Sequence, residues 1–587
     1  MVQQTHHPRT GLAPDPQRDR LPHRLLVHQL QLQRRPSAVR RPQHGKHQRT
    51  HPAHRGPVGP QPPLLQVPPR ESGQRVGELP PHRTAVRPQI HDQVTRNVDH
   101  SASLEVTSLQ RLGCTRTSRG HMSTVSTVNG GISFWYANKG TPTPREPLPG
   151  DTSADVCIVG GGYTGLWTAY YLKKAVPFLN ITVLEAKFCG YGASGRNGGW
   201  LYNGIAGRDR YAKLHGHDAA VRLQKAMNDT VGEVIRVADE ENIDADIHHG
   251  GVLEIAHTPA QLARLKDFHS VEIAFGETDR VLRGARETAE RIRVSGAVGS
   301  TWTPHGARLH PAKLVTGLAA AVEALGVTIH ESTPVTEIKP KHAVTPYGTV
   351  RAPYVLRCTE GFTAGLKGHK RTWLPMNSSM IVTEPLPAAL WDTIGWDGRE
   401  TLGDMAHAYV YAQRTADDRI ALGGRGVPYR YASATDNDGR TQPATVEALR
   451  DLLVRFFPTT AGTRIDHAWS GVLGVPRDWC ATVTLDRSTG LGWAGGYVGS
   501  GVATANLAAR TLRDLIQQDS GQAGPTEFTT LPWVNHKVRR WEPEPLRWLG
   551  VHALYAAYRT ADRREAASSS LATDPLAKAA DRISGRH

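Results

Sequence analysis

Cysteine is scarce in this chain: five residues in 587, at positions 114, 157, 189, 358 and 480, with no C-x-x-C spacing. An odd, scattered set excludes a disulfide framework and a cysteine-based zinc site, so a reducing, cytoplasmic setting is expected. Long apolar runs are missing too. Nowhere do about 18 consecutive apolar residues occur, the least that spans a bilayer, and neither Met1 nor Met122 opens a secretory apolar region. No transmembrane segment is expected.

Lysine is nearly absent from the first 121 residues, where Lys46 stands alone among Pro, Gln, His and Arg and no apolar periodicity persists. Such a stretch cannot bury a core, and 1–121 is expected to be a disordered basic extension. It holds 19 basic against 7 acidic residues, so it carries +12 of the formal net charge of +16. The extension is either an arm that docks on RNA by neutralising phosphates or an upstream stretch read in an unintended frame, ahead of a natural start at Met122. The first alternative would make the protein an RNA-modifying enzyme that acts on tRNA. No nucleic-acid partner is expected otherwise.

Beyond the extension, Asp155-Val-Cys-Ile-Val159 is a short β-branched run that reads as a buried parallel strand. It leads into Gly160-Gly-Gly-Tyr163-Thr164-Gly165, in which glycines 160, 162 and 165 fit G-x-G-x-x-G. The first permits a tight turn, the second lets a pyrophosphate approach the backbone, and the third lets helix and strand pack closely. A helix from Leu166 follows, its N-terminus directing donors at an anion. The second strand, Ile181–Leu184, ends in Glu185-Ala186, where a carboxylate can hold ribose hydroxyls. Strand, glycines, helix, strand and acid in register specify a dinucleotide site.

FAD rather than NAD is expected from two further segments. Gly192-Ala193-Ser194-Gly195-Arg196-Asn197-Gly198-Gly199 is a second small-residue loop whose amides and Ser194 hydroxyl suit a pyrophosphate. Almost three hundred residues later, Leu491-Gly-Trp-Ala-Gly-Gly496-Tyr-Val-Gly499-Ser500-Gly501-Val502 reads as a strand and glycine turn opening a helix over Ala503–Ile516. That helix would offer its positive end to the flavin edge that gains negative charge on reduction.

Asp155–Gly199 and Gly495–Arg510 together resemble the D-amino-acid oxidase superfamily of FAD enzymes, most of all its glycine oxidase and γ-glutamylputrescine oxidase branch. The resemblance runs from about Phe134 to the C-terminus. It implies an α/β (α+β) fold, with a Rossmann-type FAD-binding domain interleaved with a mainly antiparallel substrate domain. FAD-binding segments are expected over 122–205, 308–368 and 480–520, substrate-domain segments over 206–307 and 369–479, and a helical tail over 521–587. Val335 would contact the adenine and Thr359 the pyrophosphate.

The same resemblance implies oxidation of an amine or amino acid at its C–N bond by hydride transfer to flavin N5, with an imine hydrolysed afterwards and oxygen or an electron carrier as acceptor. Arg414 is either the arginine that binds a substrate carboxylate or an exposed turn residue. Tyr411 and Arg425 are pocket candidates or plain sheet residues. His305 and His310 flank a helix start and read as structural. Ser500 stands where sarcosine-oxidase relatives place a histidine, so no base is expected there. Cys480 lies within a residue of the cysteine that tethers flavin in those enzymes. The Trp-rich helix near Trp541–Tyr558 either packs on the body or lies on a membrane near a quinone acceptor.

Overall fold

The computed structural model describes residues 127–424, 426–435 and 438–586. The extension expected over 1–121 lies outside them, as does Arg425. The runs Val156–Val159 and Ile181–Leu184 are buried along their whole length and pair in parallel, as strands covered on both faces must. Tyr354–Arg357 pairs with Val156–Val159 on its other side. Thr328–His330 and Leu491–Gly495 extend the sheet in parallel, and Thr482–Asp486 closes one edge antiparallel, giving six strands. Because successive connections from Val156–Val159 run to opposite sides, a crevice opens at the carboxyl ends of the central strands. Over this sheet the helix Tyr163–Ala175 packs with both Pro311–Ala324 and Gly501–Asp519.

A second sheet of nine strands is mainly antiparallel. Its order is Val128–Asn129, Ile465–Val475, Leu374–Thr383, Ile420–Gly424, Tyr411–Arg414, Thr401–Asp404, Val252–Ala256, Gly299–Thr303 and Val281–Gly284. Alternation sorts its side chains. One face, with Leu253, Ile381, Leu402 and Leu422, packs with Trp391, Trp396 and Leu449. The other, with Met380, Val382, Ala421 and Trp469, meets Phe134, Trp135 and Phe188. This is the expected fold class: a Rossmann-type domain whose strands are interrupted along the chain by a large antiparallel sheet.

The helix expected near Trp541–Tyr558 starts at Leu546 and runs to Ala566, ahead of a last helix over Pro575–Ser584. It buries Val551, Tyr555 and Tyr558, with the Tyr555 hydroxyl 3.2 Å from the Met376 sulfur and Glu565 paired with Arg264 at 2.9 Å. Its apolar side is therefore used on the body. No helix among the described residues is long and apolar enough to cross a membrane.

Candidate active site: a cavity between two glycine turns

A cavity of about 800 Å³ opens at the carboxyl ends of the central strands. Val159 and Gly160 line it from the first strand, Leu184, Glu185 and Ala186 from the second, and Cys358 and Thr359 from the third. Gly162, Tyr163, Thr164, Ala193, Ser194, Asn197, Val335, Gly499, Gly501 and Val502 complete that part of the wall expected from the sequence. The glycines at the first turn are demanded by space. Gly160 has φ of +110°, and a Cβ on Gly165 would lie 2.0 Å from the Gly160 carbonyl oxygen. Helix and strand can therefore approach this closely only without a side chain at 165.

Two helix N-termini open on this space, and neither is capped by its own N-cap side chain, although the Tyr163 amide donates to Ser194 Oγ at 2.9 Å. Gly162 precedes Tyr163–Ala175, and Ser500 precedes Gly501–Asp519, its hydroxyl sharing a hydrogen bond of 2.8 Å with the Tyr202 hydroxyl. Uncapped amides and the positive ends of two dipoles make this wall suited to an anion. A hydrogen bond of 3.1 Å between Thr164 Oγ1 and the Tyr497 hydroxyl ties the two glycine segments together. Glu360 fixes the second one, its carboxylate accepting from the amides of Gly496 at 2.8 Å, Tyr497 at 3.2 Å and Gly474 at 3.2 Å. Burial pushes the Glu360 carboxyl up to about 7, against the lowering effect of those amides. Glu185, raised likewise by burial, accepts from the amides of Gly161 at 2.8 Å and Lys187 at 3.0 Å.

The loop at 195–199 is held carbonyl by carbonyl. Ser133 Oγ donates to Gly195, Trp469 Nε1 to Arg196 and Trp135 Nε1 to Asn197, each at 2.8 Å. Gln413 Nε2 donates to Gly198 at 2.6 Å, and the Leu309 amide to Gly199 at 2.9 Å. With the Asn197 carbonyl taken by Trp135, the Gly198 N–H across the same trans peptide must point the other way. It donates to no protein group among the described residues.

Residues 155–515 match the family model of the FAD dependent oxidoreductases (DAO). The chain belongs to this family. Among curated relatives it is 30% identical over 404 residues to gamma-glutamylputrescine oxidoreductase of Escherichia coli (strain K12), covering 66% of this chain and 89% of that one. It is 25% identical to sarcosine oxidase subunit beta of Rhizobium meliloti (strain 1021), covering 63% and 87%. Among solved structures it shares the fold of glycine oxidase from Geobacillus kaustophilus, with a TM-score of 0.55 at 18% identity, covering 66% of this chain and 100% of that one. The protein is thus a FAD-dependent oxidoreductase, and enzymes of amines and amino acids are prominent among its relatives.

The flavoenzyme's cavity fits its cofactor by the chemistry of its lining: two helix N-termini, the Ser194 hydroxyl beside the first of them, and a strand-end carboxylate acceptor at Glu185. Other residues expected to contact FAD stand outside the cavity lining. Gly165 lies under the first turn, and Arg196 is buried, its Nε bonded to the Tyr191 carbonyl at 2.8 Å and its guanidinium stacked 4.4 Å from that ring. Gly198, Gly199, Gly496 and Ser500 shape the turns without lining the cavity.

The expected substrate-binding arginine requires correction. The hairpin pairs Tyr411 with Gly423 and Arg414 with Ile420, so Tyr411 and Gln413 share the face toward the 195–199 loop. Arg414 points from the opposite face, pairs with Asp418 at 2.8 Å and stacks 4.0 Å over Trp391. A one-residue offset in a strand flips the side chain to the other face, so Arg414 cannot share the face of Tyr411 and Gln413. Tyr411 is on the expected side, its hydroxyl 2.8 Å from Ser378 Oγ and its ring close to Gly198. The Cys480 thiol faces Gly207 and the Asp478 carbonyl, away from the cavity lining. His310 caps the helix Pro311–Ala324, accepting from the Lys313 amide at 3.2 Å, while His305 meets Asp279 at 3.0 Å.

Glu360, Tyr497 and the indole donors Trp135 and Trp469 were not singled out from the sequence. Glu360 directly follows Thr359 and Tyr497 sits inside the glycine motif, so a signal existed for both. The indoles carry none, because their partners are backbone carbonyls distant in sequence.

Proposed function

We propose that this flavoenzyme oxidises the carbon next to an amine nitrogen in a small amine, of the kind named in its E. coli relative, in preference to a simple amino acid. The observation that carries the reading is the 30% identity over 404 residues, which spans 89% of gamma-glutamylputrescine oxidoreductase and so both lobes of this chain. A second one bears on the preference. Arg414, the arginine expected to clamp an amino-acid carboxylate, is bound to Asp418 on the far face of the sheet.

When bound, FAD supplies the acceptor for the hydrogen and two electrons removed from the substrate. The chain's own part is to hold it, orient the amine and exclude water. On the cavity wall Glu185 and Glu360 are engaged with backbone amides and Asp438 with the Tyr191 hydroxyl at 3.2 Å, and no base for the amine is assigned among the described residues. The enzyme must therefore take up the amine in its neutral form. An ammonium with a pKa of about 10 costs roughly 4 kcal/mol to deprotonate at neutral pH. The expected kcat/KM accordingly rises about tenfold per pH unit until the pH nears that value.

Anaerobic bleaching of the flavin by a panel of amines, γ-glutamyl amines, polyamines and amino acids tests the proposal. Reduction by amines and not by simple amino acids, faster at alkaline pH, is the expected result. Reduction by amino acids alone contradicts it.

A further inference from the structure

Glu254 sits in a row that the strand register defines across the nine-stranded sheet. It pairs with Gly403, Gly403 with Tyr411, Tyr411 with Gly423, Gly423 with Met380 and Met380 with Trp469. Directly paired residues point to the same face. At its far end the row carries the Trp469 indole bonded to the Arg196 carbonyl, and Tyr411 within it lies against Gly198. Glu254 therefore belongs to the face that looks onto the 195–199 loop, two strands or about 10 Å from Tyr411 at the backbone.

The intervening residue has no side chain. A Cβ on Gly403 would lie 2.3 Å from Glu254 Oε2, so the carboxylate leans over Gly403 in the direction of Tyr411. Two nearby carboxylates already hold arginines, Glu272 with Arg208 at 2.6 Å and Glu277 with Arg280 at 2.9 Å, while Asp404 keeps one buried oxygen without a partner among the described residues. Glu254 itself takes no hydrogen bond and no ion pair from any described residue, although Arg280 acts on it at a distance and Asp404 and Glu272 repel its charge. Burial raises its carboxyl to about 8, yet the residue keeps some accessible surface. A half-buried carboxylate with no partner among the described residues is costly and does nothing for the fold.

We propose that Glu254 anchors a second, non-reacting ammonium of the substrate, so that the enzyme selects short diamines or other amines with a distal cation. The inference rests on the amine reading above and narrows it. The reacting amine lies on the Tyr411 side of Gly403, which carries no side chain between the two ends.

The test is an anaerobic spectral titration of the full-length holoenzyme, wild type and Glu254→Gln, with 1,4-diaminobutane and with butylamine. Binding shifts the oxidised flavin bands, and oxidation bleaches them, so the two are read separately. Wild type should bind the diamine at least about tenfold more tightly than butylamine, and Glu254→Gln should abolish that preference. Glu254→Asp should retain part of it, with FAD content checked in each variant. Diamine binding to wild type should also release up to one more proton near neutral pH than diamine binding to Glu254→Gln, the reacting amine losing its own proton in both. A preference seen without bleaching supports the anchor and contradicts the amine reading alone. Equal affinity for both amines, absence of binding, or a preference that survives Glu254→Gln overturns the anchor, and bleaching by both amines would then leave the amine reading standing.

Discussion

At the scale of single residues, two glycines separate space from flexibility. Gly165→Ala would place a methyl 2.0 Å from the Gly160 carbonyl oxygen, where only backbone can yield. The variant is expected to emerge without bound flavin or not to fold, as flavin content per chain will tell. Gly232 lies inside the helix His217–Glu240 with nothing within 4 Å of the position a Cβ would take. There, Gly232→Ala should raise stability by about 0.5–1 kcal/mol in thermal or denaturant unfolding. Glu360 makes a prediction of opposite character. Its carboxyl, raised by burial to about 7, binds a proton more tightly folded than unfolded. Its contribution to stability is thus complete below the unfolded value and is lost as pH rises through about 7. The melting temperature of the FAD-free protein should fall from about pH 5 to about pH 8 more steeply in wild type than in Glu360→Gln. Parallel profiles would contradict this assignment.

At the scale of elements, the loop at 195–199 depends on donors brought from four other places in the chain. Gln413→Met strips the donor from the Gly198 carbonyl at 2.6 Å and from the Leu309 carbonyl at 3.2 Å. The expected outcome is a loss of about 1–3 kcal/mol in stability, the cost of leaving a buried carbonyl unpaired, together with slower flavin reduction by amine in stopped flow. Here the limits of sequence reading also show. The strand, glycines, helix and strand-end acid from Val156 to Glu185 were legible because each is a local pattern with its own physical reason. The hairpin carrying Tyr411 and Arg414 was legible as a hairpin, but the face each side chain takes depends on a register set by partner strands. The same holds for Glu254 and Gly403, which become neighbours only when Val252–Ala256 and Thr401–Asp404 pair.

At the scale of the whole molecule, a parallel sheet supplies a crevice and the larger antiparallel sheet faces it across the 195–199 loop. Sequence motifs were sufficient to read this two-part fold and its cofactor, since both glycine segments lie in the parallel part. The substrate side was less legible, because its chemistry resides in ordinary Tyr, Gln and Glu residues that no motif marks. The central claim is that the turns around Gly160–Gly165 and Gly495–Val502 hold one flavin between them. The absorbance spectrum of the purified chain, recorded before and after anaerobic addition of an amine, tests it most directly. The account predicts a band at about 450 nm, near one flavin per chain, that bleaches with amine. A chain that remains colourless even after reconstitution with FAD would contradict it.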